Sequence, residues 1–143
     1  MLASNAPPDS ETMLAITLAV TEQPARAARM KAARDVFADG LPPNARWVTP
    51  RDNSLPNTLM CVFEDVDGRL LLPALDMAGV EASQGSACSS GSPTPPAVLY
   101  AMGMDERSAR ACVRFSFAHD TSVEEAVHGA ALVRDVVARL LDR

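Results

Sequence analysis

The sequence predicts an α+β domain in which helices pack on a small mixed or antiparallel sheet of three to four strands. The 143-residue chain is long enough for one buried core, and 48% of its residues are apolar. Short apolar runs bounded by turn residues, such as Thr58–Phe63, are typical of buried strands. Other segments carry apolar residues at helical spacing, as at Ala126, Ala130 and Val133, which favours helices layered on that sheet.

The N-terminal segment is predicted to be helical after a short lead-in. Residues 1–10 are polar and contain proline, so we expect them to be irregular and the single domain to span 11–143. An apolar helix is predicted from Glu11 to Glu22. Because proline cannot continue a helix but suits a first turn, Pro24 is expected to end this helix and begin a second one that closes at Gly40.

The remaining elements follow from apolar runs and punctuating glycines and prolines. Strands are predicted at Ala45–Val48, Thr58–Phe63, Val80–Ser83 and Cys112–Phe117, and helices at 69–78, 95–102, 105–109 and from about residue 122 to the C-terminus. Pro73 is expected to distort the helix at 69–78, since an interior proline costs about 3 kcal/mol. Thr121 with Glu124, and Ser122 with Glu125, have the spacing of a capping box at the start of the last helix.

Charge and composition exclude several classes of function. The net charge of −5 is spread without long runs, which argues against a nucleic-acid surface. No segment reaches the roughly 18 apolar residues of a membrane span, and we expect a cytoplasmic protein. Three separated cysteines and two histidines predict neither a disulfide framework nor a metal site.

Cys88 lies in a run of glycine, serine and alanine, from Gln84 to Ser92. Buried structural cysteines usually have apolar neighbours, whereas reactive ones need exposure and a group that lowers the thiol pKa. From this run alone, a reactive and an incidental role are equally open. Cys61 and Cys112 stand in apolar strand contexts and are interpreted as core residues.

Arg114 stands within a predicted strand, where an arginine is costly unless it is paired. Buried arginines mostly hold carboxylates, either of the protein itself or of a ligand. The residues alone favour an internal ion pair and leave the ligand role open.

Together these motifs resemble the small C-terminal domain of cysteine desulfurases, in the branch with a long cysteine loop. The residues that carry the resemblance are Leu55-Pro56-Asn57-Thr58-Leu59, Leu75-Asp76, Gly85-Ser86-Ala87-Cys88-Ser89-Ser90-Gly91-Ser92, Pro95, Val98-Leu99, Ala101, Gly103, Val113-Arg114-Phe115-Ser116 and Glu124-Glu125. The resemblance covers about residues 55–137 and is weaker over 10–40. It implies the small-domain fold of pyridoxal-phosphate enzymes of fold type I and a role in sulfur transfer for iron–sulfur cluster assembly.

The resemblance also implies roles for three residues. Cys88 would accept sulfur from cysteine as a persulfide while alanine is released, and the long-loop motif favours cysteine over selenocysteine. Arg114 would grip the substrate carboxylate by a two-point contact, and Asn57 would lie near the substrate. Pyridoxal phosphate would supply the electron sink.

The chain departs from the family in ways that limit what it can do alone. Ala118-His119-Asp120-Thr121 replaces the usual Gly-Arg-Phe-Thr, and we expect the large cofactor-binding domain to be absent from this chain. Lys31 stands on an arginine-rich helix without a phosphate-binding loop, so it is not expected to form the Schiff base. We therefore expect the cofactor on a partner chain and an inactive isolated chain.

Three interpretations remain open at this point. The chain is the C-terminal half of a desulfurase whose large domain is a separate polypeptide or another desulfurase subunit, with a sulfur-acceptor protein as a further partner. Alternatively, it is a non-enzymatic sulfur carrier or dimerisation module. The third interpretation is a truncated, inactive remnant.

Overall fold

The computed structural model describes residues 9–84 and 94–142. In these ranges the chain forms three antiparallel strands in the order β1 (Ala45–Trp47), β2 (Thr58–Phe63) and β3 (Cys112–Ser116). The helices of the same ranges are α1 (Ser10–Asp39), α2 (Gly68–Met77), α3 (Ala97–Ala101), α4 (Glu106–Arg110) and α5 (Val123–Leu141). The predicted α+β class with a small antiparallel sheet is confirmed.

The first helix differs from the prediction, because α1 continues through Pro24 instead of breaking there. Proline removes one N–H donor, but this stretch is exposed, so solvent can satisfy the carbonyl that loses its partner. Glu22 and Arg26 bridge the proline at helical spacing, with 2.6 Å between Glu22 Oε2 and Arg26 Nη2. The rule that proline ends a helix therefore predicted two helices where the structure has one.

The strand predicted at Val80–Ser83 is wrong, since only Ser83 pairs with the sheet. Its backbone N–H donates to the carbonyl of Arg114 at 3.0 Å, and the Arg114 N–H donates to the Ser83 carbonyl at 2.6 Å. The Val80 N–H instead donates to Leu75 O at 2.9 Å, where the chain leaves α2. Because the Val80 N–H is bonded to the end of α2, it cannot pair with the sheet, and the predicted strand does not extend back to Val80. Pro73 lies within α2, and the helix continues on both sides of it.

The main core lies on one face of the sheet and is covered by α1, α2 and α5. Phe37 of α1 stands with its ring centroid 4.8 Å from Phe115 and 5.4 Å from Phe117, and Phe63 lies 6.4 Å from Phe115. The aliphatic residues of this core include Leu59, Val66, Leu71, Leu75, Val113, Val133, Val136 and Val137. Burial of this apolar face is the main force that holds α5 and the second half of α1 on the sheet.

The last helix begins at the second of the two capping boxes that the sequence offered. The Glu125 N–H donates to Ser122 Oγ at 3.1 Å, and the Ser122 N–H donates to Glu125 Oε2 at 2.8 Å. Thr121 is used differently, because its Oγ1 accepts from the Ala118 N–H at 3.0 Å. This turn leads directly from β3 into α5.

Candidate functional site

Arg114 lies on the sheet face opposite the main core. It pairs with Met60 across β2 and β3, and directly opposed residues of antiparallel strands share a face. A second apolar cluster covers one end of this face and consists of Val62, Leu99, Ala109, Ala111 and Cys112. Thr58 and Ser116, which face each other at the other end, are not buried. Arg114 therefore stands where the apolar covering of this face ends.

The guanidinium of Arg114 has no partner among the described residues. Its Nε is buried and makes no hydrogen bond, and the ion pairs between described residues do not include it. A buried donor left unsatisfied costs about 1–3 kcal/mol. The internal ion pair that the residues alone favoured is therefore not formed within the described part of the chain.

The backbone of Arg114 connects this site to the start of the segment that contains Cys88. Ser83 makes both backbone hydrogen bonds with Arg114, and Gln84 follows it directly. The Gln84 side chain donates to the carbonyl of Arg110 at 3.0 Å, which fixes the chain between α2 and α4. Cys88 itself, with the rest of 85–93, lies outside the described residues, so its predicted role stays a prediction.

Asn57 stands at the beginning of β2, near one end of the same strand pair. Its carbonyl accepts from the Phe117 N–H at 2.9 Å, and its Oδ1 accepts from Thr58 Oγ1 at 3.4 Å. Arg114 pairs with Met60, three residues further along β2, so roughly 10 Å of strand separates the two positions. The structure thus places Asn57 just before β2 and Arg114 on the neighbouring strand β3, without bringing them into contact.

Cys61 and Cys112 are buried thiols with little nucleophilic character. Burial raises the pKa of Cys61 to about 12, with a smaller contribution from Cys112. Burial likewise raises the pKa of Cys112 to about 11, partly offset by the charge of Arg46. Since the thiolate is the reactive form, neither thiol is a candidate nucleophile. Both are buried core residues, as predicted.

Lys31 does not provide a site for pyridoxal phosphate. Its Nζ lies 2.6 Å from Asp35 Oδ2 on the exposed side of α1. Burial raises the pKa of Asp35, but hydrogen bonds and charges from Lys31 and Arg34 outweigh it, and the net pKa is below the ordinary value. An exposed lysine in a salt bridge lacks the desolvated surroundings that activate a Schiff-base lysine. The described residues therefore do not fit the cofactor, and no reaction step is assigned to it on this chain.

Arg34 is the one charged residue that is buried in the described ranges, and its role is structural. Its Nη1 donates to the Leu55 carbonyl at 2.6 Å, and its Nε and Nη2 donate to Asp35 Oδ1 at 3.0 and 2.8 Å. The guanidinium also lies 5.2 Å from the ring centroid of Trp47, and Arg51 lies 5.4 Å from that ring. The guanidinium of Arg34 thus has hydrogen-bond partners for its donors, whereas the buried Nε of Arg114 has none among the described residues.

Gln84 and Gly68 are two site-supporting residues that sequence reasoning missed. A Cβ built at Gly68 would lie 2.2 Å from the backbone carbon and oxygen of Arg110, so only glycine permits this approach of α2 to α4. Gln84 spans the same approach. In a sequence, a glycine at the first position of a helix indicates a close approach between helices only weakly. A single glutamine before a glycine-rich run does not indicate a supporting role at all.

A separate cleft lies between the beginnings of α2 and α4. It has a volume of about 790 Å³, and its charged lining residues are Asp65, Asp67, Arg69, Glu106, Arg107 and Arg110. These side chains pair with one another, at 2.7 Å for Asp67 and Arg69 and 2.6 Å for Glu106 and Arg110. Because its cations face carboxylates, this cleft is a poorer candidate for binding an anionic substrate than the surroundings of Arg114.

Two further classes of site are absent from the described residues. No group of three or more histidine, cysteine or acidic side chains could hold a metal ion in that part of the chain. None of the described helices is long and apolar enough to cross a bilayer.

An α+β domain of this kind is similar to one part of known cysteine desulfurases. The chain is 36% identical over 115 residues to a cysteine desulfurase of Gluconacetobacter diazotrophicus, which covers 78% of this chain and 29% of that protein. It is 38% identical over 114 residues to the cysteine desulfurase NifS of Azotobacter vinelandii, covering 78% of this chain and 28% of that protein. No protein-family model matches the chain.

Solved structures agree with these relatives. A NifS-like protein superposes with a TM-score of 0.71 at 29% identity, covering 86% of this chain and 31% of that one. A NifS-like protein of Rickettsia africae gives the same TM-score at 22% identity and supports the fold alone. The homologues of this chain are thus cysteine desulfurases, as the sequence motifs predicted, and the chain spans less than a third of their length.

Proposed function

We propose that this chain is the sulfur-accepting part of a cysteine desulfurase. Cys88 takes the sulfur of cysteine as a persulfide, and the large domain that carries pyridoxal phosphate is a separate polypeptide. Arg114 binds the substrate carboxylate. The location is the cytoplasm, and the sulfur passes to an acceptor protein for iron–sulfur cluster assembly, in line with the NifS and IscS names of the relatives.

One observation carries this proposal, namely the unpaired buried Nε of Arg114 beside the start of the Cys88 segment. A guanidinium offers donors in a planar fork that matches a carboxylate, and an α-amino acid presents that group. Cys88 follows Ser83 by five residues, and a residue spans at most about 3.6 Å, so its tether allows a reach of about 18 Å. A substrate held by Arg114 lies within that radius.

Arg114 and Cys88 have different roles in the proposed sulfur transfer. Arg114 fixes the carboxylate, which orients the rest of the substrate cysteine and reduces the entropy lost in the transition state. Cys88 attacks the substrate sulfur as a thiolate and becomes the persulfide, while the carbon skeleton leaves as alanine. Pyridoxal phosphate, bound to the other polypeptide, supplies the electron sink that makes the carbon–sulfur bond labile. Asn57 stands at the edge of this site and contributes to its shape.

The proposal is tested by isolating the tagged chain under native conditions from the cells that produce it. We expect a stoichiometric partner polypeptide with the visible absorbance of pyridoxal phosphate, and a complex that releases alanine from cysteine. A colourless chain without that partner would contradict the proposal and would favour a sulfur carrier or an inactive remnant.

Two variants of the complex then test the residue roles. Cys88→Ala should abolish sulfur transfer and leave the fold intact, and unchanged alanine release would contradict the role of Cys88. Arg114→Lys should raise KM for cysteine by about 10-fold or more, because an ammonium cannot reproduce a planar two-point contact. Arg46→Lys is the matched control, since Arg46 is exposed and pairs with Glu64 at 3.1 Å. Equal KM values for the two lysine variants would remove Arg114 from the substrate site.

A further inference from the structure

We propose that Gln84 is a positioning residue, which sets the orientation of Arg114 through the backbone pair between Ser83 and Arg114. The side-chain amide of Gln84 fixes the segment on which Ser83 lies, and Ser83 fixes the backbone of Arg114 at the edge of the sheet. The effect on the reaction rests on the proposed function, in which Arg114 binds the substrate carboxylate. The contacts themselves are a separate feature of the fold and are tested separately.

The backbone of Arg114 depends on Ser83 for its hydrogen bonds. Successive residues of an antiparallel strand direct their backbone groups alternately toward the neighbouring strand and away from it. The Phe117 N–H donates to the Asn57 carbonyl at 2.9 Å, and the Ala111 carbonyl also accepts from the β2 side. Arg114 lies three residues from each, so its N–H and carbonyl face away from β2. There Ser83 bonds to both, at 2.6 Å to the N–H and 3.0 Å to the carbonyl.

This pair is isolated, because the segment before Ser83 does not continue as a strand. The Val80 N–H is bonded to the end of α2, so it adds no second hydrogen bond to the edge of β3. An isolated pair is held in place by what fixes the chain on its two sides. On the N-terminal side, Val80 and Ala82 pack against the main core.

On the other side, Gln84 fixes the chain directly after Ser83. Its Nε2 donates to the Arg110 carbonyl at 3.0 Å and, over a longer 3.5 Å, to the Gly68 carbonyl. Both carbonyls belong to the close junction of α2 and α4, where a Cβ at Gly68 would meet the backbone of Arg110 at 2.2 Å. A junction packed this closely is a firm anchor, and the amide of Gln84 connects it to the edge of the sheet.

The orientation of Arg114 matters because its proposed ligand is a planar carboxylate. A two-point contact requires the guanidinium fork to lie in a defined direction, and the Cα from which it projects is held by Ser83. A misplacement of about 1 Å in an active site costs up to about 100-fold in rate. Loss of a contact that is made equally to the bound substrate and to the transition state raises KM and leaves kcat unchanged. This split distinguishes a positioning role of Gln84 from a purely structural one.

Amide hydrogen exchange of the free chain, followed by NMR, tests the contacts. Gln84→Met keeps the length of the side chain and removes its donor, and Gln23→Met is the matched control because Gln23 is exposed on α1. We expect the Arg114 amide to exchange about 3- to 10-fold faster in Gln84→Met, the effect of one lost hydrogen bond, and to be unchanged in Gln23→Met. The Phe115 amide, which faces β2, should keep its rate. Unchanged exchange at Arg114, or equal acceleration at Phe115, would refute the inference.

Steady-state kinetics of the complex with the pyridoxal-phosphate polypeptide test the positioning role. Gln84→Met should raise KM for cysteine by about 3- to 10-fold and change kcat by less than about 2-fold. In an Arg114→Lys complex the same substitution should raise KM no further, because its effect passes through the guanidinium. A KM equal to that of the parent complex, or the same increase in both backgrounds, would overturn the positioning role.

The variants also separate this inference from the proposed function. An unchanged KM in Arg114→Lys alone would contradict both, since Arg114 would not bind the substrate. A raised KM in Arg114→Lys, together with an unchanged KM in Gln84→Met, would leave the proposed function intact and overturn the role of Gln84 alone.

Discussion

Replacement of Arg114 by methionine separates a functional arginine from a structural one. In the free chain the buried Nε of Arg114 has no acceptor among the described residues. Methionine keeps most of the apolar stem and removes the unsatisfied donor, which relieves a cost of about 1–3 kcal/mol. Some of that gain is offset by the loss of packing around the guanidinium. We therefore expect the free energy of unfolding of Arg114→Met to lie within about 1 kcal/mol of the parent chain.

Arg34→Met is the matched control for that measurement. Arg34 is 1% exposed, makes three hydrogen bonds to Leu55 O and Asp35 Oδ1, and stacks on Trp47. Its removal leaves the Leu55 carbonyl with only the longer hydrogen bond, from the Thr58 N–H at 3.4 Å, and leaves the Trp47 ring with Arg51 alone. We expect a loss of about 2–4 kcal/mol for Arg34→Met.

Urea unfolding followed by far-ultraviolet circular dichroism measures both values, and it avoids the fluorescence of Trp47, which Arg34 contacts directly. A loss of more than about 2 kcal/mol in Arg114→Met would show that this arginine stabilises the free fold, and the reasoning that assigns its donors to a substrate would be refuted.

Three further predictions test other parts of the structure. Gly68→Ala should lower the free energy of unfolding by about 1–3 kcal/mol, because its Cβ would meet backbone atoms at 2.2 Å, and an unchanged urea midpoint would contradict this packing. The hydrogen bonds from Arg69 lower the pKa of Asp67 to about 2. The stability that this carboxylate contributes should therefore be complete above its ordinary pKa of 3.8 and be lost as the pH falls toward 2. An NMR titration measures the pKa, and Asp67→Asn should remove this pH dependence of stability. Alkylation at mildly alkaline pH should label one thiol per native chain, at Cys88, and three in denaturant, because burial raises the pKa of Cys61 and Cys112; a native Cys88→Ser chain that still reacts would contradict the assignment.

The elements that the sequence predicted well are those set by local pattern. The strand Thr58–Phe63 and the last helix were found because apolar runs and capping residues define them within a few positions. The break at Pro24 was wrong because the rule for proline ignores that an exposed helix can satisfy the lost partner with solvent. The strand at Val80–Ser83 was wrong because the end of α2 claims the Val80 N–H, a competition that a pattern of residue types does not reveal.

The candidate site shows the same division between local and long-range information. The motif around Arg114 was sufficient to suggest a carboxylate ligand, but the residues alone favoured an internal ion pair. Only the fold shows that no described carboxylate reaches this guanidinium, because that depends on elements far apart in sequence. The contact of Gly68 with Arg110 and the hydrogen bond from Gln84 to the Arg110 carbonyl likewise join residues far apart in sequence, so local patterns do not predict them. The role of Cys88 remains a prediction from its motif.

The most direct test of the account is to locate sulfur on this chain after turnover. The complex of the chain with its pyridoxal-phosphate partner is supplied with cysteine, quenched by alkylation, digested and analysed by mass spectrometry. We expect one additional sulfur atom on Cys88, formed in proportion to alanine and absent from the Arg114→Met complex. Alanine formed without any persulfide at Cys88, or a persulfide at Cys88 formed without the partner, would contradict the central claim that this chain accepts sulfur within a two-polypeptide desulfurase.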